Sequence, residues 1–420
     1  MFSRIGNDAI KKDLTNTRLL CQHLGAPQAR FRSIHVAGTN GKGSVSHMLS
    51  AILQTAGCRT GLYTSPHLYD FRERIKINGE MVPQDFVVQF TERMQPLIET
   101  LQPSFFEVTV AMAFQYFAEQ MVDVAVIETG LGGRLDSTNI IVPELSVITN
   151  ISLDHTSILG NTVEEIAAEK GGIIKKKVPV VIGEKIASTE AVFTKIADEQ
   201  EAPLVFTEDD FQVLNKEWVN DKLKVVITHK SKQHTNSYAT DLVGGYQAKN
   251  VATVLSAVEQ LRRNGWKIAD DQVKEALQQV KKLTGFHGRW EVLRKEPLLV
   301  LDVAHNEGGF KALVEQLEKT SYHQLHMVLG MAKDKDIEKM LRLLPKDALY
   351  YFTQAHIPRA VDKHHLHTMA SAYKLEGLIF EDVNTAVRKA LDSAVKEDLI
   401  VVCGSIFLIA EVDRLGFENA

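Results

Sequence analysis

The sequence predicts an α/β fold in which a mainly parallel sheet, covered on both faces by helices, is followed by a second, smaller α/β unit. Three observations predict it. Short apolar runs alternate with segments of helical periodicity. Several of the runs end in glycine-rich or charged turns, where open parallel sheets place their chemistry. The alternation lapses in the middle of the chain and restarts near its last third. With 420 residues, 45% of them hydrophobic, the chain can bury at least one large core and supports two.

Taken in order, "SIHVAG" reads as a strand before a helix through "GSVSHMLSAILQTAG", which ends at a glycine stop. The helical pattern "EVTVAMAFQYFAEQ" precedes the strand "VDVAVIETG", and "LSVITN" and "VPVVIG" are two further short strands. From about 206 to 240 the pattern loosens into β-like pieces such as "LKVVITH", expected as an antiparallel extension of the same sheet. "DQVKEALQQVKKL", residues 271–283, reads as one helix stopping at Gly285. Four more strands follow: "EPLLVLDVAHN", "LHMVLGM", "ALYYFTQA" and "DLIVVCGSIFLIAEV", with helices from about Glu307 and Asp334 between them. The boundary is placed near Gly288, so the expected domains are 1–287 and 288–420.

A net charge of −5 provides no general attraction for nucleic acid or an acidic membrane, and neither is expected as a partner. Cys21, Cys58 and Cys403 form no CxxC pair and suggest neither a disulfide framework nor a zinc site. The start "MFSRIGNDAIKKDL" has no apolar core of signal-peptide type, and no long uncharged apolar run occurs, so a cytoplasmic location is expected.

Three stretches carry candidate chemistry. In "HVAGTNGKGS", Gly38, Gly41 and Gly43, with Thr39 and Asn40 between them, permit a tight turn whose N–H groups face inward ahead of a helix N-terminus. Lys42 would reach outer phosphates and Ser44 would offer a hydroxyl to magnesium. The standard phosphate loop sets the hydroxyl directly after the lysine; here Gly43 intervenes, and a plain glycine-rich βα turn is the competing reading. In "VDVAVIETGLGGRLDSTNI", Glu128 ends an apolar run and could hold magnesium or its water, Gly130, Gly132 and Gly133 permit close backbone approach, and Arg134 could steady an anion. In "SVITNISLDHTSILGNTVEEIAAEKGGIIK", Asp154 and His155 follow a strand, and His155 is either a metal ligand or a hydrogen-bonded loop residue. Lys170, near a helix end, reads on its own as a lysine complementing the helix dipole.

Together "HVAGTNGKGS", "YTSPHL", "FFEVT", "ETGLGGRLDSTNI", "SLDHTSILG", "AAEKGGIIK", "GRWEV" and "LDVAHN" resemble, in this order, the folylpolyglutamate synthase and dihydrofolate synthase family of the Mur ligase superfamily, from about residue 8 to the end. The resemblance implies a Mur-ligase-like P-loop ATPase domain and a Rossmann-like C-terminal domain. It implies an ATP-dependent ligase joining a pteroate or folate carboxylate to the amine of L-glutamate through an acyl phosphate. The acceptor would be dihydropteroate, reduced folates or both, and the protein a monomer. Gly38 to Ser44 would hold ATP; Ser44 and Glu128 would ligate one magnesium and His155 a second, with Lys42, His155 and Lys170 in catalytic roles. Lys170 matches a lysine often carbamylated in the family, which would make it a metal ligand, and a monovalent cation is a further implied cofactor. Arg289, Asp302, His305 and Asn306 match positions that approach the nucleotide. Thr64, Ser65, Pro66, His67 and Leu68, with Phe105, Phe106 and Glu107, match the pterin-side pocket. The lead before the phosphate loop, 37 residues ahead of Gly38, is shorter than the family's usual one. That length argues against the runner-up, a cell-wall Mur ligase with its extra N-terminal domain. A P-loop phosphotransferase or regulatory NTPase and an inactive binding protein are the other readings.

Overall fold

The computed structural model describes residues 13–418, so the opening segment read for signal-peptide character lies almost wholly outside the described residues. The chain divides into two compact units, the first ending at Phe286 and the second beginning at His287.

The first unit is built on an eight-stranded sheet: β1 (Arg32–Ala37), β2 (Thr60–Tyr63), β3 (Ile75–Ile77), β4 (Glu80–Met81), β5 (Val124–Glu128), β6 (Leu145–Ile148), β7 (Val180–Ile182) and β8 (Leu204–Phe206). Their order is β4-β3-β2-β5-β1-β6-β7-β8, parallel except for the β2-β3-β4 edge. Every residue of β5 is buried, because a parallel sheet covered on both faces has no solvent side. Its alternating side chains enter two different cores: Val124 and Val126 join one, Ala125 and Ile127 the other.

Four helices of this unit matter for the site: α1 (Lys42–Thr55), α2 (Phe105–Glu119), α3 (Val163–Gly171) and α4 (Gln247–Arg263). Residues Ser44 to Leu53 of α1 are all buried, which marks a helix enclosed on every side. The α2 helix begins at a capping box, with Ser104 accepting from the Glu107 amide and Glu107 accepting from the Ser104 amide. β1 carries the central position, so the chain leaves it for β2 on one side and reaches β6 on the other. The carboxyl ends of β1, β5 and β6 therefore lie side by side, with Val36 opposite Glu128 and Ala37 opposite Ile148.

The looser stretch is not an extension of this sheet. β9 (Phe211–Val219), β10 (Lys222–His229) and β11 (His234–Thr240) form a separate antiparallel sheet, in the order β11-β10-β9. The period-2 pattern of β10 explains it: Leu223, Val225 and Ile227 turn one face onto the core that holds α1 and α4. Residues 271–283 likewise form two helices, Asp270–Leu277 and Val280–Thr284, because Gln279 leaves helical conformation at φ −133°. Gly285 then ends the second at φ 61°.

The second unit carries the sheet β12 (Glu291–Lys295), β13 (Leu298–Leu301), β14 (Leu325–Leu329), β15 (Leu349–Phe352), β16 (Gly377–Ile379) and β17 (Leu399–Cys403), ordered β12-β13-β17-β14-β15-β16. The four expected strands are β13, β14, β15 and β17. The additions are β12, antiparallel to β13, and the three-residue edge β16; both are too short or too polar to stand out from loops. Helix α5 (Glu307–Glu318) starts where expected, and the next helix starts at Ile337 under an Asp336 cap, three residues later than expected. Among the described residues no helix is long and apolar enough to cross a membrane.

Leu49 lies fully buried on α1 directly behind the candidate loop. Leu49→Ala should cost about 2–5 kcal/mol, read as a lowered urea midpoint. An unchanged midpoint would show that α1 is not held by this core.

Candidate functional site

The turn after β1 is preshaped by the turn after β6. The Thr39 amide donates to the Asn150 carbonyl (2.9 Å), the Asn40 amide to Asn150 Oδ1 (2.8 Å), and the Thr149 hydroxyl to the Asn40 carbonyl (2.6 Å). Gly38, at φ 147°, has no room for a side chain, since a Cβ there would lie 1.9 Å from Thr149 Oγ1. Gly41, at φ 85°, opens α1, so the helix amides follow the turn directly. Gly43 is different: a Cβ there would meet Phe286 at 3.5 Å and the Glu128 carboxylate at 3.9 Å, ordinary contact distances. The carboxylate at the end of β5 therefore stands beside the loop, as its strand position predicts.

Two lysines converge on one oxygen. Lys42 Nζ donates to the carbonyls of Gly38 (3.0 Å) and Thr39 (3.1 Å), and Lys170 Nζ donates to the same Gly38 carbonyl at 2.7 Å. Lys170 is buried in the last turn of α3, and burial first, then the charge of Lys42, pushes its amine down to about 7. Asp154 and Asp136 oppose that shift. His155 follows in left-handed conformation at φ 48°, its amide donating to Asp154 Oδ1 (2.9 Å). The dipole-complementing reading of Lys170 is thus replaced by a reach of 132 residues back to the phosphate-type loop.

Glycines set α3 against the turn after β5. The Arg134 amide donates to the Glu169 carbonyl (2.7 Å), and a Cβ on Gly133 would lie 2.7 Å from the Lys170 carbonyl. Asn139 Nδ2 bridges the carbonyls of Arg134 and Gly172, both at 3.0 Å. Arg134 itself is ion-paired with Glu169 at 2.7 Å.

On the other side of Glu128 lies the "YTSPHL" segment. The Ser65 amide donates to Glu128 Oε2 (3.2 Å), so the two sequence signals share one carboxylate. Glu73 accepts from the amides of Leu68, Tyr69 and Asp70 at 2.8–3.0 Å and holds the loop closed. Arg74 Nε donates to His67 Nδ1 (2.8 Å), and its guanidinium lies 5.5 Å from the Phe105 ring, which is in edge contact with Phe71. Burial, then Arg74, holds His67 below the usual imidazole range and keeps that nitrogen an acceptor. Thr64 and Pro66 complete the loop, the Thr64 amide donating to the Arg74 carbonyl (3.1 Å). Phe106 packs instead against Gly130, where a Cβ would lie 2.4 Å from its ring. Glu107 caps α2 and accepts from Asn16 Nδ2 (3.3 Å), which gives it a structural task.

In the second unit, Asp302 is buried and accepts from the amides of Trp290 (2.8 Å) and Ala304 (2.9 Å). It pins the turn that carries Arg289, whose Nη1 donates to the Gly288 carbonyl (3.3 Å). His305 Nδ1 contacts the Val303 carbonyl (2.8 Å), and Asn306 caps α5 through the Gly309 amide (2.8 Å).

Sequence reasoning missed Arg74, Glu73, Thr149, Gln247 and Asn250. Gln247 Nε2 donates to Ser44 Oγ (3.0 Å) and Asn250 Nδ2 donates to Gln247 Oε1 (2.7 Å). The signal that could have found this pair is "GGYQAKN", polar residues opening an otherwise apolar helix directly after a glycine pair.

Comparison with known proteins gives one consistent result. Residues 36–258 match the Mur ligase middle domain and residues 288–406 the Mur ligase glutamate ligase domain. The dihydrofolate synthase/folylpolyglutamate synthase of Bacillus subtilis (strain 168) is 33% identical over 415 residues, covering 96% of this chain and 95% of that protein. The crystal structure of a folylpolyglutamate synthase from Thermotoga maritima is 34% identical with a TM-score of 0.81, covering 96% of this chain and 93% of that one. E. coli FolC in complex with DHPP and ADP is 28% identical with a TM-score of 0.85, covering 97% and 94%.

The burial of Lys170 makes stability depend on pH with a definite sign. Its amine titrates near 7 when folded against 10.5 when unfolded, so between those values the unfolded chain binds more protons and stability rises with pH. Below both values the cost of burying the charge is felt in full. Relative to Lys170→Met, the wild type should gain about 1 kcal/mol per pH unit from about pH 7 to about pH 9. Urea unfolding of both proteins in bicarbonate-free buffer measures this; a difference flat with pH would contradict it.

Proposed function

The chain belongs to the folylpolyglutamate synthase and dihydrofolate synthase family of Mur ligases, and we propose that it joins the carboxylate of dihydropteroate or of a reduced folate to the amine of L-glutamate. It is an ATP-dependent ligase that forms a carbon–nitrogen bond. The observation that carries the reading is the glycine turn at β1, with Lys42 and Lys170 converging on Gly38 and Glu128 beside Gly43. The relative bound to DHPP and ADP supports a nucleotide and a small-molecule site within this fold.

The chemistry begins with a carboxylate that an amine does not attack, because its carbon is electron-rich and its oxygen a poor leaving group. Transfer of the γ-phosphoryl group of ATP makes it an acyl phosphate. The amides at the start of α1 and the Lys42 ammonium receive phosphate oxygens and offset the charge that spreads over them in transfer. The neutral glutamate amine then attacks the acyl carbon, and inorganic phosphate leaves from the tetrahedral intermediate. Arg74 and the rings of His67, Phe71 and Phe105, which meet edge-on, bring together the aromatic and polar groups that suit a pterin ring.

The donor set fits magnesium. Ser44 and Glu128 supply a hydroxyl and a carboxylate, the hard oxygen donors that magnesium prefers. Ser44 and Glu128 would hold one magnesium ion and His155 with a carbamylated Lys170 a second, and their charge would offset that of the transferring phosphoryl group. The lowered basicity of Lys170 gives a reason for carbamylation, since only the neutral amine attacks carbon dioxide, losing a proton as the carbamate forms. Arg289, Asp302, His305 and Asn306 are assigned to the nucleotide, and the second unit to glutamate, on family likeness. The enzyme is assigned to the cytoplasm as a monomer.

Purified protein given ATP, magnesium, L-glutamate and an acceptor should release ADP and phosphate and yield a glutamylated pterin. We assign both acceptor classes, as the name of the Bacillus relative joins both activities. Separate kcat/KM values for dihydropteroate and a tetrahydrofolate monoglutamate test this: product from one alone rejects bifunctionality, and from neither rejects the ligase reading. Lys170→Ala should lower turnover by about two orders of magnitude, with partial recovery by a short added carboxylate. Stripping bicarbonate should lower wild-type activity reversibly. A native mass without one added carbon dioxide would overturn the carbamate while leaving the ligase assignment in place.

A further inference from the structure

We propose that Gln247 is a positioning residue for Ser44, fixing the hydroxyl that the proposed reading gives to magnesium. The inference rests on that reading and extends it to the start of α4, a segment about two hundred residues from the phosphate loop in sequence.

The geometry is a buried relay. Gln247 is fully buried, Ser44 nearly so, and Asn250 is shielded beside them. Asn250 Nδ2 donates to Gln247 Oε1 at 2.7 Å, which commits that oxygen and turns the amide nitrogen of Gln247 toward Ser44 Oγ at 3.0 Å. Asn250 in turn is set against the glycine turn: a Cβ on Gly41 would lie 2.6 Å from Asn250 Oδ1. The amide of Gln247 therefore cannot rotate without leaving a buried partner unsatisfied.

The consequence lies in the lone pairs of one oxygen. A serine hydroxyl has two lone pairs and one hydrogen, and in water it turns about its Cβ bond at little cost. Donation from Gln247 takes one lone pair and leaves one for a cation, so the hydroxyl is oriented before any ligand arrives. Partners that orient the direct ligands of a metal typically govern affinity by 10–100-fold. Gln247 touches neither phosphate nor acceptor in this account; it acts only through Ser44.

The test is a double-mutant cycle read by nucleotide binding. ADP affinity is measured by calorimetry on the full chain, with magnesium and with EDTA, for the wild type, Gln247→Met, Ser44→Ala and the double variant. Gln247→Met keeps the side-chain volume and removes the donor. It should leave ADP binding in EDTA unchanged and weaken the magnesium-dependent gain about 10-fold or more. The magnesium concentration for half-maximal turnover should rise to match, with kcat recovering at saturation. In the Ser44→Ala background, Gln247→Met should add nothing. Independent, additive effects, or equal loss with and without magnesium, would overturn the inference and mark Gln247 as a packing residue. No loss of the magnesium effect in Ser44→Ala alone would overturn the reading of Ser44 beneath it. Gln247→Leu, put through the same cycle, decides the question if Gln247→Met does not fold.

Discussion

The carbonyl oxygen of Gly38 accepts hydrogen bonds from two lysine side chains, and much of the first unit is arranged to make that possible. Lys42 arrives from the helix directly after the turn; Lys170 arrives from α3, through a buried path. Two lysine groups sharing one acceptor repel each other when both are charged, and Lys170 is buried where solvent screens little. Burial and the charge of Lys42 together lower the basicity of Lys170. Gly38 is required because its carbonyl can be presented to both lysines only at a φ that other residues resist, against a threonine that leaves no space for a Cβ.

Support for Lys170 is indirect and rigid. The turn after β5 lies directly on the end of α3, at separations that exclude a side chain on Gly133 or Gly172, and Asn139 staples the two together. Asp136, buried with its carboxyl pushed up by desolvation, accepts from the Leu131 and Thr138 amides and keeps this turn closed. Glu128, one strand end away, joins the phosphate-type turn to the loop of Ser65. The glycine turn after β1 and the "YTSPHL" loop are thus linked through a single carboxylate.

Several residues that look like site residues in the chain serve the backbone. Glu107, Asn306 and Asp302 each satisfy amides at a helix start or a tight turn, where buried N–H groups need acceptors. Their place in short motifs follows from that need as readily as from contact with a substrate. Arg134 is similar, since its guanidinium is held by Glu169 at the edge of the loop.

What could be read from the chain alone is what local geometry governs. The apolar runs, the glycine turn from Gly38 to Ser44 and the placement of Glu128 at a strand end follow from periodicity and turn chemistry within a few residues of each other. The parallel order follows from the helices between them. The separate β9–β11 sheet was not legible, because its alternation shows that one face is buried but not which helices bury it. Nor was the reach of Lys170 to the Gly38 carbonyl, since by local rules that lysine belongs to the end of a helix. Arg74 and Thr149 carry no local signal, and the polar start "GGYQAKN" marks Gln247 without naming its partner. Tertiary structure decided these, because hydrogen bonds to Ser44, His67 and Asn40 join segments separated by up to 203 residues, or join across a loop whose path only packing sets. Burial, which shifts the lysine and gives each of those bonds its cost, exists only once the core has closed around them.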